Sequence, residues 1–494
     1  VWRQGKRTGE VTGLEDCMGC ARCIISCPTD ALAIHDVRNL FRPSLRQDAS
    51  HLLKRNPAVS VPRVEPEQRP SAMRLTDWNE TEQSLSLEDL KLQAERCLDC
   101  GVPGCRNACP LGNFIPDWLE AAAKGNWKHA GELAHSTSPL PEVCGTICPQ
   151  HRLCEGACTR SRMEGAVTIG AVERSIATRA LTEGWRPSVA ARRSGHRAAI
   201  IGAGPAGLSC AERLNRSGVD VTIYDRSPKI GGLLRTGVPS FKLDKSLLDR
   251  RQAVLEQSGI QFVLNTFVDE ASISDLLETN DAIFLGLGAQ KPKTIELPGQ
   301  TLPGVEPGLG WLHKINTGSC ESLHGRRVLV LGGGDTAMDC ARSALRLEAE
   351  VTIAYRGPAD SLRASPKEIK LTREEGGRFE LEHVPVRCEG SRQLTGVRFD
   401  TPSGKRVIDA DLTILALGQQ PAPPHWLTLF DIATDPHGNL CVDARGRTTH
   451  RKIWAGGDNT LGPNLAVNAM AAGRMAANGI LAGFSTAGDS LWRG

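Results

Sequence analysis

The sequence predicts an α/β protein: two Rossmann-type dinucleotide-binding domains, preceded by a small helical domain and a short α+β segment, both rich in cysteine. Three observations predict this. Strand, glycine turn and helix occur in that order twice, in RAAIIGAGPAGLSCAERL from Arg197 and in RRVLVLGGGDTAMDCARSAL from Arg326. Twelve of the 17 cysteines precede residue 159 in three tight clusters, and the other five are scattered singly behind them. Around the second and third clusters apolar residues recur at helical spacing, in LEDLKLQA from Leu87 and at Ile115, Trp118, Leu119, Ala122, Trp127 and Leu133.

At the N-terminal end, Cys17, Cys20, Cys23 and Cys27 read C-x2-C-x2-C-x3-C-P, the run by which bacterial ferredoxins hold iron–sulfur clusters through thiolates. Structural zinc asks instead for separated C-x2-C pairs or for Cys with His. Disulfides are the poorer expectation, because no leader-like stretch precedes cysteines that crowd too closely to staple distant loops. The fourth cysteine of such a run normally ligates the other cluster of a two-cluster domain. No upstream partner run stands here, so Cys27 either points to a missing half or completes a single cluster. Cys97, Cys100, Cys105 and Cys109 form a second set, again followed by proline, and Cys144, Cys148, Cys154 and Cys158 a third. The third set alone, C-x3-C-x5-C-x3-C, is also compatible with helical packing.

In the first glycine turn, Gly202, Gly204 and Gly207 fit G-x-G-x-x-G with Pro205 opening the helix, and Asp225 ends the next strand where a ribose-binding acid belongs. Glycines there let backbone N–H groups approach a pyrophosphate at a positive helix N-terminus. In the second turn Gly332, Gly334 and Ala337 give the G-x-G-x-x-A variant, and the following strand ends in Tyr355 and Arg356. An arginine at that position pairs with a 2′-phosphate, so the second site should prefer NADP(H). Two dinucleotide sites in one chain suit a flavoprotein with FAD in the first and a nicotinamide in the second. KIWAGGD, with Gly457 and Asp458, precedes an Ala-rich helix and is expected to close over the flavin.

Composition is consistent with this. A length of 494 residues allows two to four domains, and a net charge of +3 gives no case for nucleic acid. The longest apolar stretches suit buried strands and fall far short of a membrane span. The expected division is a ferredoxin-like segment at 1–35, a linker at 36–85, a helical iron–sulfur domain at 86–190, an FAD domain at 191–320 and 421–494, and an NADPH domain at 321–420.

RCLDCGVPGCRNACP, CPQHRLCEGAC, GAVTIGAVER, IIGAGPAGL, GGLLRTGVPSFKLDK, LGGGDTAMDC and AGGD together resemble the small subunit of bacterial glutamate synthase and the N-terminal half of dihydropyrimidine dehydrogenase. Relatives of that small subunit with an extra ferredoxin domain look closer still. The resemblance implies two interleaved 4Fe-4S clusters in the helical domain: one on Cys97, Cys100, Cys105 and Cys158, the other on Cys109, Cys148, Cys154 and Glu173, with Cys144 a bystander. At least one more cluster is expected at the N-terminal run. The resemblance also implies that Gly232, Leu233 and Lys242 line FAD, and that Gly333, Gly334, Asp335, Thr336, Arg356 and Arg363 line NADPH.

No catalytic acid or base is expected, because hydride transfer between nicotinamide and flavin asks for alignment and exclusion of water. The expected function is to move electrons between NADP(H), FAD and 4Fe-4S clusters, to or from a partner catalytic subunit or a ferredoxin. The alternative is a glutamate synthase small subunit, supplying electrons for glutamate formation from 2-oxoglutarate and glutamine. A hetero-oligomer in the cytoplasm is expected, with no nucleic acid or membrane partner. A disulfide reductase would need a redox cysteine pair beside the flavin, whereas Cys210, Cys320, Cys340, Cys388 and Cys441 are isolated.

Overall fold

The structure is a computed structural model that describes Trp2–Gln4 and Gly9–Val11 and residues 61–162, 164–293 and 295–489, with side chains from 61 to 484. Strands β1 (Trp2–Gln4) and β2 (Gly9–Val11) pair antiparallel. Cys17, Cys20, Cys23 and Cys27 lie outside the described residues. The chain divides into two compact units, one of residues 1–66 with 84–183 and the other of 67–83 with 184–494. Residues 67–83, whose composition reads as linker, thus belong to the second unit and include a short helix, α1 (Ser71–Leu75). They are held there by Arg74, which is buried against Glu375, and by Trp78, whose ring lies 6.1 Å from that of Phe241.

The first unit is helical. Ser86 accepts the Asp89 N–H and starts α2 (Leu87–Glu95), with Glu88 and Asp89 placed favourably in the first turn. There follow α3 (Gly104–Ala108), α4 (Ile115–Ala123), α5 (Trp127–Thr137), α6 (Pro141–Ile147) and α7 (Ile169–Thr182). Leu90, Trp118, Leu119, Val172 and Ile176 form their shared core, each at most 2% exposed. A Cβ on Gly145 would stand 2.4 Å from the Arg174 nitrogen. Without one, α6 and α7 touch backbone to backbone, and Glu173 on α7 comes near Cys144 on α6 and Cys148 just after it.

The second unit opens on β3 (Arg197–Ile201), whose last four residues are buried, as suits a parallel strand covered on both faces. Next come α8 (Pro205–Arg216), β4 (Asp220–Tyr224), α9 (Leu233–Thr236), α10 (Lys245–Gln257), β5 (Gln261–Val263), α11 (Glu270–Thr279) and β6 (Ala282–Leu285). After a two-residue strand, β7 (Lys291–Pro292), the chain forms β8 (Val305–Pro307), α12 (Gly308–Asn316), β9 (Arg327–Leu331), α13 (Asp335–Arg346), β10 (Glu350–Tyr355), α14 (Pro366–Glu374) and β11 (Arg378–Leu381). An antiparallel meander of β12 (Val384–Gly390), β13 (Leu394–Thr401) and β14 (Gly404–Asp409) leads into β15 (Leu412–Leu415) and β16 (Gln419–Gln420). The chain ends on β17 (Ile453–Ala455), α15 (Asp458–Leu461) and α16 (Ala466–Asp489).

Two five-stranded parallel sheets result, ordered β17-β6-β3-β4-β5 and β11-β10-β9-β15-β8. Each carries its glycine turn at the C-terminal end of a central strand, where open α/β sheets bind ligands. Strands β7 and β16 pair antiparallel at the two crossings between the sheets. The chain leaves the first sheet near residue 292, and Val305–Pro307 and α12 already belong with the second sheet.

Helix α16 closes the first sheet by lying directly on α8. A Cβ added to Gly473 would stand 2.0 Å from the Ala206 carbonyl oxygen. Gly473→Ala is therefore expected to destabilise the second unit by about 1–3 kcal/mol through overpacking, although alanine is the better helix former. Urea unfolding with flavin release as a second probe checks this; a gain in stability would contradict the packing.

Candidate functional site

Three glycine segments meet at the N-terminus of α8. Gly202 packs its α-carbon under the first strand pair, where a Cβ would lie 2.3 Å from the Gly286 carbonyl oxygen. A Cβ on Gly207 would stand 1.9 Å from the Gly202 oxygen, so helix and turn meet as closely as backbone allows. Gly232, with φ +53°, lies against Gly204, and Gly457, with φ +86°, lies against Ala206. Gly204 itself faces open space at the helix N-terminus, the cradle into which a pyrophosphate fits. Asp225 accepts the Ala203 and Ser227 N–H groups, both at 2.7 Å, so its carboxylate is held at the turn. Leu233 is half-buried at the start of α9, and burial pushes the Asp458 carboxyl up to about 6.

The second turn is built alike. Gly334 caps α13 and faces open space, with Asp335 and Thr336 in the first turn beyond it. Gly333 lies against the Tyr355 ring, and its carbonyl accepts the Arg363 and Ala364 N–H groups at 2.9 Å. The loop after β10 is thereby folded over the turn, bringing Arg356 and Arg363 to one rim. Both are exposed, and neither guanidinium has a hydrogen-bond or ion-pair partner among the described residues. Two unpaired cations at the end of the second strand suit a 2′-phosphate.

Between the two cradles runs a buried set of charges. Lys242 Nζ stands 2.8 Å from Asp339 Oδ1 on α13 and 3.6 Å from Glu368 at the start of α14. Arg342, fully buried, pairs with Glu368 at 2.7 Å and Glu375 at 2.9 Å; Arg346 and Arg74 join Glu375 at 2.8 and 3.1 Å. Phe241 lies beneath Arg346 and Arg342, at 3.8 and 4.7 Å from the ring centroid. Burial pushes the Asp339 carboxyl up to about 6, against the pull of Lys242. Burial would raise Glu368 too, but Lys242 and Arg342 hold it down at about 2. The ammonium of Lys242, expected at the flavin, is thus held by carboxylates of the second subdomain.

In the first unit, Cys97, Cys100, Cys105 and Cys158 line one cavity, whose wall also includes Leu119, Val167 and Ile169 and the polar Thr159 and Arg160. Asp99, at φ +50°, makes the reversal between the first two thiols. Burial and the neighbouring thiols push Cys105 up to about 12, so an anionic ligand set is stable there only with a cationic group bound. No group of three or more His, Cys, Asp or Glu side chains converges as a single metal ion requires, among the described residues. Four thiols spread around one largely apolar cavity fit the wider cubane.

Cys109, Cys144, Cys148, Cys154 and Glu173 interact with one another in a second buried group. Glu173 is 6% exposed, and burial pushes its carboxyl up to about 8. Within this group Cys144 hydrogen-bonds with Cys148. Sequence reasoning missed three features: Asn113, which donates to Glu173 Oε1 at 2.7 Å; Thr159, 3.3 Å from Cys100 Sγ; and the buried charges. Only the last left a signal, since Asp339, Arg342 and Arg346 recur at helical spacing on a helix whose inner face is otherwise apolar. Cys210, Cys320, Cys340, Cys388 and Cys441 are all free, with no redox pair among the described residues.

Two families match the chain. The one described as dihydropyrimidine dehydrogenase domain II, 4Fe-4S cluster, covers residues 74–185, and pyridine nucleotide-disulphide oxidoreductase covers 196–473. The chain is 41% identical over 457 residues to the glutamate synthase (NADPH) small chain of Halomonas elongata, spanning 86% of this chain and 97% of that one. It is 41% identical over 517 residues to the putative oxidoreductase AegA of Escherichia coli, spanning 93% of this chain and 78% of the relative. Among solved structures, Mycobacterium tuberculosis FprA in complex with NADPH shares the fold, with a TM-score of 0.51 and 17% identity over 60% of this chain and 86% of that one.

Lys242→Met removes the only lysine from the buried set and leaves Asp339 and Glu368 facing each other. A loss of about 3–5 kcal/mol is expected. Asp339 has its folded pKa raised above the unfolded value, so its favourable contribution is present at low pH and lost as pH rises through about 6. Without Lys242 that loss deepens, and the variant should fall further below wild type at pH 8 than at pH 5 in denaturant unfolding.

Proposed function

Because the chain belongs to the pyridine nucleotide-disulphide oxidoreductase family, as a relative of the glutamate synthase small chains, we propose that it exchanges electrons between NADPH and a separate catalytic polypeptide or ferredoxin. It is an NAD(P)H oxidoreductase that uses FAD, NADPH and 4Fe-4S clusters. Bound FAD supplies the exchange between paired electrons of a nicotinamide and the single electrons that clusters carry. The observation that carries the reading is the occurrence, in one chain, of two open glycine cradles and a cavity lined by four thiols.

The residues divide the work. Gly202, Gly204, Gly207, Gly232 and Gly457 admit backbone N–H groups to the flavin's pyrophosphate, with Asp225 beside the turn and Asp458 at its closing edge. Gly333, Gly334, Asp335 and Thr336 do the same for NADPH, and Arg356 and Arg363 hold its 2′-phosphate. Cys97, Cys100, Cys105 and Cys158 hold one cluster, and Cys109, Cys148, Cys154 and Glu173 the other. Lys242 acts by fixing the second subdomain against the first, through Asp339. No described side chain is assigned as acid or base, since the arrangement works by alignment.

The partner is proposed to be a polypeptide other than the glutamate synthase large subunit. In support, the match to the putative oxidoreductase extends over 93% of the chain, against 86% for the small chain, and the first cysteine run is an added relay. The second reading, a glutamate synthase small subunit, draws on the 97% coverage of that relative. Pull-down from the native host under anaerobic conditions separates the two by which polypeptide is retained.

Arg356→Ala with Arg363→Ala is expected to raise the NADPH KM at least about 100-fold, from two charge-assisted contacts of at least about 1.5 kcal/mol each, and to leave NADH nearly unchanged. Equal loss for both nucleotides would overturn the 2′-phosphate assignment. Anaerobically purified protein should contain iron and sulfide for two clusters in the helical unit and at least one more; stoichiometric zinc in their place would refute the relay.

A further inference from the structure

Glu173 is held by a short chain of hydrogen bonds with a fixed direction. Thr137 Oγ1 donates to Asn113 Oδ1 at 2.6 Å, and the Phe114 N–H reaches the same hydroxyl oxygen at 3.3 Å. A hydroxyl can accept as well as donate, whereas an ionised carboxylate only accepts, so Glu173 settles which way the Asn113 amide points and the Thr137 hydroxyl takes up its oxygen. Its NH2 must then face Glu173, and Nδ2 donates to Glu173 Oε1 at 2.7 Å. Asn113 is 2% exposed, so the amide has no water to turn towards. No hydrogen bond engages the other carboxylate oxygen among the described residues.

We propose that Asn113 and Thr137 position Glu173 as the carboxylate ligand of the second cluster and raise that cluster's midpoint potential. The inference rests on the proposal that Glu173 is a ligand. An N–H donated to a ligand oxygen draws electron density from it, and so favours the reduced, more negative cluster. Because the Asn113 oxygen is engaged by Thr137, the amide stays with its NH2 towards Glu173. Asn113 thus sets a potential step between the two clusters of the unit that the thiol ligands alone would not make. Thr159, 3.3 Å from Cys100 Sγ, is the nearest counterpart on the other cluster.

The test uses full-length protein prepared anaerobically and titrated with mediators and dithionite, the clusters being followed by electron paramagnetic resonance. In Asn113→Ala the ratio of reduced to oxidised second cluster at fixed potential should fall about tenfold, a downward shift of about 59 mV for one electron. Thr137→Val, nearly isosteric, should shift it the same way by less, because it frees the amide without removing it. The cluster on Cys97, Cys100, Cys105 and Cys158 is the internal reference and should stay unmoved. An unchanged second potential in both variants with iron intact, or equal shifts in both clusters, overturns the proposal. Glu173→Gln separates the failures: an unaltered second-cluster signal in that variant refutes ligation itself, whereas an altered one alongside an unmoved Asn113→Ala refutes only the positioning.

Discussion

The arrangement of the second unit depends on one buried guanidinium. Arg342 has no exposed surface, and its charge is balanced by Glu368 and Glu375 while its face covers Phe241. These partners come from different places: Arg342 from the helix of the second glycine turn, the two glutamates from α14 and its end, and Phe241 from the first subdomain. Buried ion sets add little net stability, because desolvation offsets their attraction, but a wrong arrangement would leave a charge unpaired. The set therefore selects one arrangement. Lys242 extends it into the first subdomain, and Ser365, whose N–H donates to Asp335 at 3.0 Å, ties the start of α14 to the nucleotide turn.

That constraint fits a chemistry without side-chain acids or bases. When cofactors carry the reaction, the protein's contribution is distance and orientation. The backbone approaches at Gly207, Gly457 and Gly473 serve the same end, since each brings two elements together at separations that any Cβ would forbid. The paired strands β7 and β16 leave the second subdomain two short tethers, and the charges fix what the tethers would allow to turn.

The first unit solves a different electrostatic problem. Burial pushes Cys105, Cys109, Cys154 and Glu173 towards their protonated forms, and a bound cationic cluster would offset the cost of ionising them. The small residues that make this possible, Gly145 above all, let α6 and α7 meet closely enough for a carboxylate to join the cysteines. Asn113 and Thr137 then give the two thiol-rich sites different surroundings.

Much of this was legible in the residues themselves. Strand, glycine turn and helix are local patterns with local causes, so both strand–turn–helix units could be read from spacing alone. What spacing misses is anything assembled from distant segments. The crossing at 292 and the docking of residues 67–83 each depend on partners far along the chain. Asp339, Arg342 and Arg346 looked like an ordinary charged helix face, because their partners lie on other elements. Asn113 carries no motif at all. Sequence by itself determined the chemistry, since thiol runs and glycine turns are dictated by the groups they must approach. Only the tertiary structure decided which charges are buried together and which amide faces Glu173, because burial and hydrogen-bond direction are properties of packed neighbours.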